Sequence, residues 1–295
     1  MTMTGETTGE VTGETTGAAA RPAFVVPSPA ELRARRLRRR LGVLRPSYWL
    51  PFAAMLVLLG GLWQLGAHKL PYLLPPLSDV LGVLRDQPGY FLENSWVTLR
   101  EALLGLAIGF VAAFLLAILI SEAPLARRAI MPVAVVLNVT PLVAIAPALV
   151  VAFGFGATPK LILTALICFF PILINTAVGL RSVPQQVLQV FRTVHASRWE
   201  LLRHIRVPNA LPYVFAALQI VFPLSVIGAV VAELSAAGSS AGLGTTIQVA
   251  SSMNRMAMIW AAIFVLALMG SLLLLFVTVV ERKVLHWHES KQNPS

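Results

Sequence analysis

The chain has 295 residues, of which 57% are hydrophobic and 12% charged, with a formal net charge of +10. A mean hydropathy of +0.78 excludes an ordinary soluble globular domain, and several apolar runs reach the roughly 20 residues that a helix needs to cross a bilayer. The single cysteine, Cys168, excludes a disulfide within one chain and sits in an apolar run as a small packing residue.

Residues 2–17, TMTGETTGEVTGETTG, form a Thr/Gly/Glu tract with almost nothing apolar to bury, and residues 1–30 are expected to be a disordered tail. They lack the basic start and apolar core of a signal peptide, the first cation being Arg21. Residues 31–47 carry the run ELRARRLRRRLGVLR, a basic juxtamembrane segment suited to anionic headgroups rather than to nucleic acid.

Apolar runs at 48–67, 97–120, 129–153, 159–180, 211–236 and 257–281 follow. The expected fold is therefore an all-α, polytopic membrane protein with six transmembrane helices over residues 48–282 and a tail at 283–295. With the N-terminus inside, eighteen of the 23 Lys and Arg residues fall on the cytoplasmic side. Lys69, Arg85, Arg100, Lys160 and Arg255 fall outside, so the positive-inside rule places both termini in the cytoplasm.

Cation gathers between the fourth and fifth spans, in FRTVHASRWELLRHIRVPNALP, which contains Arg192, Arg198, Arg203 and Arg206. Within the connection 181–211, VPQQVLQVFRTV places Val187, Val190, Phe191 and Val194 at helical spacing, and ASRWELLRHI does the same for Trp199, Leu202 and Ile205. Two short helices are expected, closed by Val207-Pro208 and Leu211-Pro212 because a residue before proline is pushed away from the helical region. Such an amphipathic hairpin suits docking on a soluble partner.

Here the chain resembles the permease subunit of bacterial ABC importers, whose cytoplasmic EAA loop reads E-A-A, three residues, G, nine residues, I-x-L-P. Ile205-Arg206-Val207-Pro208 matches its end with Val for Leu, which puts Gln189-Val190-Phe191 at E-A-A and His195 at the glycine. The likeness extends to the nitrate, sulfonate, taurine and pyrimidine-precursor branch. It is carried by Leu74-Pro75-Pro76-Leu77-Ser78-Asp79-Val80, Thr98-Leu99, Phe153-Gly154-Phe155-Gly156, Phe170-Pro171-Ile172, Asn175-Thr176, Ala232-Glu233 and Gly242-Leu243-Gly244.

The resemblance implies a pore built by two permease subunits, as a homodimer or with a sister permease. Two cytoplasmic ATP-binding subunits would power it, and an external substrate-binding protein, lipid-anchored or soluble, would supply it. It also implies that Gln189, Phe191, His195, Ala196, Ser197, Trp199, Leu202, Ile205 and Pro208 form the coupling surface to the ATPase. The arginines of the hairpin would hold it inside and meet acidic partner residues. The chain has no G-x-x-x-x-G-K-[ST] loop, so it is expected to bind no cofactor and to be no enzyme, with ATP hydrolysed by the partner. A thiamine-precursor pyrimidine or a riboflavin-like vitamin is the favoured solute, with sulfonate, taurine and nitrate as alternatives. The rival class is a self-contained secondary transporter, which would need inverted repeats and carboxylates at mid-membrane.

Polar residues inside spans mark the candidate pathway: Asn138, Thr140, Asn175 and Glu233. Glu233 has two readings, lining a gate or hydrogen bonding the loop SAAGSSAGLG. Glu101, near Arg100, reads as structural, and Pro141, Pro147 and Pro171 can kink their spans. The literal G-x-S-x-G around Ser240 lacks the strand-to-helix elbow of a hydrolase, and His286-Trp287-His288 lacks further metal ligands.

Overall fold

The computed structural model describes residues 46–235 and 241–285. The tail, the basic run up to Arg45, Ser240 and the His286/His288 pair lie outside the described residues. The chain divides into two compact units, 1–60 and 61–295. The first contributes the beginning of α1 (Pro46–Lys69), an apolar helix whose Leu50, Phe52 and Met55 point outward, as lipid-facing side chains do.

The second unit is built on three long helices, α3 (Pro88–Glu122), α6 (Ala157–Gly179) and α9 (Val207–Ser235), with α11 (Met256–Val284) against α9. Short helices α2 (Leu77–Asp86) and α10 (Leu243–Ser252) cover one end. The apolar run at 129–153 forms α4 (Pro124–Val139), a 3-10 turn (Leu142–Ile145) and α5 (Ala146–Phe153). Among the described residues five helices are long and apolar enough to cross a membrane, and six spans result if the bent pair counts as one.

That third span is kinked at Pro141, one of the prolines expected to be able to kink it, bending by 84° at Thr140-Pro141. Pro141 provides no N–H and forces its predecessor to extend; Thr140 has ψ 135. Pro171, by contrast, stays inside α6 without ending it.

Small residues set how closely α3 and α6 approach. Gly105, Gly109, Ala113 and Ala117 recur every four residues and are all buried, so they form one stripe along α3. A Cβ on Gly109 would lie 2.5 Å from the Ala165 carbonyl oxygen, and one on Gly105 would lie 2.5 Å from Thr164 Cβ. Gly228 of α9 meets Thr164 from the other side, so Thr164 is wedged between two glycines. Below this level Cys168, Ile172, Leu173 and Val221 fill the common core.

At the end covered by α2 and α10, Trp63 stands edge-on to Trp260, with ring centroids 4.5 Å apart. Their indole N–H groups donate to the Pro75 and Leu73 carbonyls at 3.1 and 3.0 Å. Two amphipathic rings thus pin the loop after α1 where a membrane surface would lie.

Replacing Gly109 by Val should cost about 1–3 kcal/mol through overpacking, or roughly 2–12 °C of melting temperature in detergent at about 2–4 °C per kcal/mol for a large chain. Gly270→Ala, where the new methyl meets open space, should leave the midpoint unchanged or raise it slightly. Equal melting of the two variants would disprove the close approach of α3 and α6.

Candidate functional site: the hairpin and the buried clasp

The hairpin lies at the opposite end from α10. Its first arm, α7 (Gln185–Thr193), is strongly amphipathic, and Val187, Val190, Phe191 and Val194 leave an exposed apolar stripe along it. The arm stops at His195, whose φ of 52° is left-handed, while Ala196 N–H reaches back to the Phe191 carbonyl at 3.1 Å. This is the six-to-one closure of a Schellman stop, a position that glycine fills without strain. Histidine at the glycine position of the loop therefore makes the same turn at a steric cost.

One residue after Ala196 the chain turns helical again. Ser197 is the N-cap of α8 (Arg198–Leu201): its hydroxyl accepts the Glu200 N–H at 3.2 Å. Ser197 N–H in turn donates to Glu200 Oε2 at 2.7 Å, completing a capping box. These bonds, the backbone one foremost, hold the Glu200 carboxyl below its ordinary value of 4.5.

The expectation that Val207-Pro208 and Leu211-Pro212 close the hairpin is overturned. The chain runs from α8 through a π turn (Leu202–Arg206) directly into α9, which includes Pro212 and Pro223. Val207 N–H bonds the Leu202 carbonyl five residues back, so the widened turn moves carbonyls away from the Pro208 ring. Pro208 thus lies inside a continuous helical run, and the widened turn before it accommodates its ring and its missing N–H.

Of the proposed coupling residues, the structure places Gln189, Phe191, His195, Ser197, Trp199 and Pro208 on the surface, Ala196 and Ile205 half-buried. Trp199 is 67% exposed. Leu202 needs correction as an outward anchor: it is 5% exposed and packs into the core with Leu180 and Ala210. It fastens the hairpin to the bundle. Arg206 is likewise engaged within the chain, paired with Glu122 at the end of α3, and Asn209 donates to the Ser182 hydroxyl at 2.6 Å.

At the other end, α10 begins against α3 and α9, and its first N–H groups are capped by side chains from them. Gly242 N–H donates to Asn94 Oδ1 at 2.7 Å and Leu243 N–H to Thr98 Oγ1 at 2.9 Å. Gly244 N–H donates to Glu233 Oε2, and Thr98 Oγ1–H donates to Glu233 Oε1 at 2.7 Å. Three orphan donors of a helix start are thus satisfied, and the carboxylate lies where the helix dipole favours an anion. Gly242 has φ 128°, and a Cβ there would strike the Glu233 carboxylate, which explains the Gly-Leu-Gly sequence.

Glu233 is fully buried in this clasp, so its carboxylate is turned onto α3 and α10 rather than onto an open passage. One turn along α3 from Thr98, Glu101 accepts from Lys160 Nζ at 2.8 Å, with side-chain exposures of 11% and 4%. Lys160 is therefore an interior ion-pair partner and not a solvent-facing charge, and the partner of Glu101 is Lys160 and not Arg100. Sequence reasoning missed this pair, whose members lie 59 residues apart. Of the pathway candidates, Asn138 is exposed just before the bend. Thr140 Oγ1–H donates to the Val136 carbonyl at 2.9 Å and Asn175 Nδ2–H to the Pro171 carbonyl at 2.8 Å. Among the described residues no group of three or more His, Cys, Asp or Glu side chains is placed to hold a metal ion.

A bundle of membrane-crossing helices, one broken, with an amphipathic hairpin feeding directly into a later span, defines a polytopic transport subunit. The family model for the binding-protein-dependent transport system inner membrane component matches residues 99–286, and the chain belongs to that family, the permeases of ABC importers. It is 33% identical over 250 residues to the riboflavin transport system permease protein RibX of Chloroflexus aurantiacus, covering 83% of this chain and 92% of that one. It is 32% identical over 233 residues to the formylaminopyrimidine transport permease protein ThiX of Halalkalibacterium halodurans, covering 78% and 92%. The fold also matches an inward-facing structure of the MetNI methionine ABC transporter, with a TM-score of 0.55 at 18% identity over 64% of this chain and 93% of that chain. The chain is thus a multi-pass inner-membrane permease for a small solute, which displaces the secondary-transporter alternative.

Glu233→Leu should leave the Gly244 donor unmet at a cost of about 1–3 kcal/mol and speed amide exchange in α10 by roughly 5- to 150-fold. Glu233→Gln, which keeps one acceptor, should fall between; unchanged protection in both would refute the clasp. The Glu200 box has a pH signature. Its carboxyl is depressed in the folded hairpin, so its contribution is present above pH 4.5 and is lost as pH falls below that through the folded value. Protection of the hairpin amides should drop in that acid range in the wild type, and Glu200→Gln should abolish the dependence.

Proposed function

We propose that this permease forms half of the pore of an importer for a heterocyclic vitamin or its precursor, a thiamine-precursor pyrimidine or a riboflavin-like compound. The relatives named for riboflavin and formylaminopyrimidine transport support that solute class. The taurine transport system permease TauC of Escherichia coli, 30% identical over 271 residues, keeps sulfonates as the competing class. A second permease copy or a sister chain completes the pore, and an external binding protein delivers the solute. Both termini face the cytoplasm, in keeping with the excess of Lys and Arg on that side.

The observation that carries the coupling role is the exposed apolar surface of the hairpin. Val187, Val190 and Phe191 share one face of α7, Val194 continues it just past the helix end, and Trp199 adds the bulkiest exposed side chain of the second arm. A soluble protein surface rarely leaves such a patch bare, and its i, i+3, i+4, i+7 spacing suits insertion into a groove. The groove is that of a cytoplasmic ATPase subunit. Motion of the ATPase reaches the membrane through Leu202, the Glu122–Arg206 pair and the continuous helix beyond them.

The test is co-purification. Val190→Asp with Trp199→Asp should leave the permease in the membrane at normal abundance and cut recovery of an ATP-binding subunit by about tenfold or more, the loss expected of central anchor residues. Full recovery would refute the docking surface. Because an ATPase subunit reaches only a hairpin that faces the cytoplasm, its capture by the wild type also tests the orientation.

A further inference from the structure

Beside the hairpin is a cavity of about 700 Å³ lined from three separate parts of the chain. Ser121 and Pro124 mark where α3 gives way to α4, Leu180 and Arg181 follow α6, and Gln185 and Leu188 belong to α7. Its floor is apolar, made by Ile120, Met131 and Leu180, and its rim is cationic, with Arg127, Arg128, Arg181 and Arg206. Four guanidinium groups thus meet one carboxylate: Glu122, which Arg206 engages. Arg127, Arg128 and Arg181 form no ion pair among the described residues.

Three unpaired guanidinium groups around one concavity repel each other unless an anion joins them, and their planar forks match phosphate oxygens. The position of the cavity narrows the source of that phosphate. It lies where two membrane-crossing helices end, at Glu122 and Gly179, which is the level of the headgroups. A cationic rim above an apolar floor at that level suits a phosphate that carries acyl chains.

We propose that this cavity is a binding site for the phosphodiester of an anionic phospholipid. The bound headgroup bridges α4 and the segment after α6 through Arg127, Arg128 and Arg181, beside Gln185 and Leu188 of α7. Lipid composition thereby sets how firmly α7 rests against the bundle, independently of which solute is carried and of what docks on the exposed stripe of α7.

Native mass spectrometry of the full chain in detergent, after exposure to phosphatidylglycerol or phosphatidylcholine, tests the assignment. The wild type should retain phosphatidylglycerol with a clear preference, and the triple variant Arg127→Ala, Arg128→Ala, Arg181→Ala should lose that preference by roughly a hundredfold, as expected for three arginines near a headgroup. The triple Arg→Lys variant should keep part of it. Equal retention by wild type and Ala variant, or no preference for the anionic lipid, overturns the proposal. Inorganic phosphate that binds the wild type and is lost in the Ala variant, while phosphatidylglycerol shows no preference, would make this a site for free phosphate and overturn the lipid assignment. Should the Ala variant fail to fold, a photo-crosslinking phosphatidylglycerol on the wild type decides. Adducts within residues 120–132 and 180–188 support the site, and adducts confined elsewhere overturn it.

Discussion

The interior of a bilayer offers no water to a backbone N–H or carbonyl, so each group at that depth must find its partner within the protein. Long helices meet the demand along most of this chain. The exceptions are the places where a helix starts, bends or changes pitch, and there the structure supplies side chains or altered turns. Asn94, Thr98 and Glu233 take the first donors of α10. The π turn at Leu202–Arg206 carries the chain past Pro208 without ending the helix. The hairpin, at the far end, stops and restarts on a Schellman closure and a capping box within a few residues.

Those local solutions work because the long helices are held close. Within hydrocarbon there is no solvent to drive helices together, so contact depends on packing and on side-chain bonds. The stripe Gly105, Gly109, Ala113 and Ala117 lets α6 lie against α3. The same approach brings Lys160 within 2.8 Å of Glu101. An ion pair there is weak support for stability, since removing two charges from water offsets much of their attraction. Its effect is on register: it forms at one alignment of α3 with α6. Glu233 likewise ties α9 and α10 to α3 through Thr98.

Much of this was legible in the order of residues, because length and apolarity alone specify spanning helices, and the I-x-V-P end of the hairpin is a pattern of fixed spacing. Glu233 was recognisable as a buried carboxylate whose alternative to a gate was a bond with the glycine loop, and its geometry is that bond. Other features were not legible, for physical reasons. Proline reads as a kink or a stop from local sterics, and Pro141 does break its span, but Pro171, Pro212 and Pro223 do not end theirs. The outcome depends on whether neighbouring turns can absorb the missing donor. Leu202 has the periodicity of an outward anchor, but the direction of that face is set by α3 and α6. Lys160 and Glu101 carry no shared motif, and only the packing of their helices makes them a pair.

The two ends of the molecule are joined by one element. From Arg198 the backbone is helical without interruption to Ser235, so the exposed Trp199 and the buried Glu233 lie on the same helical run. At 1.5 Å per residue the α-helical part from Val207 to Ser235 spans about 43 Å, the thickness of a bilayer with its headgroups. A separate hairpin closed by Pro208 would have left a flexible joint between the docking surface and the membrane. The π turn removes that joint, while Leu202, Arg206 and Asn209 fix the helix laterally to the ends of α3 and α6. A displacement imposed at the hairpin therefore has to move α9 as a body or break those contacts, and at the far end it meets the clasp, where Glu233 can shift only by carrying Thr98 and the start of α10 with it.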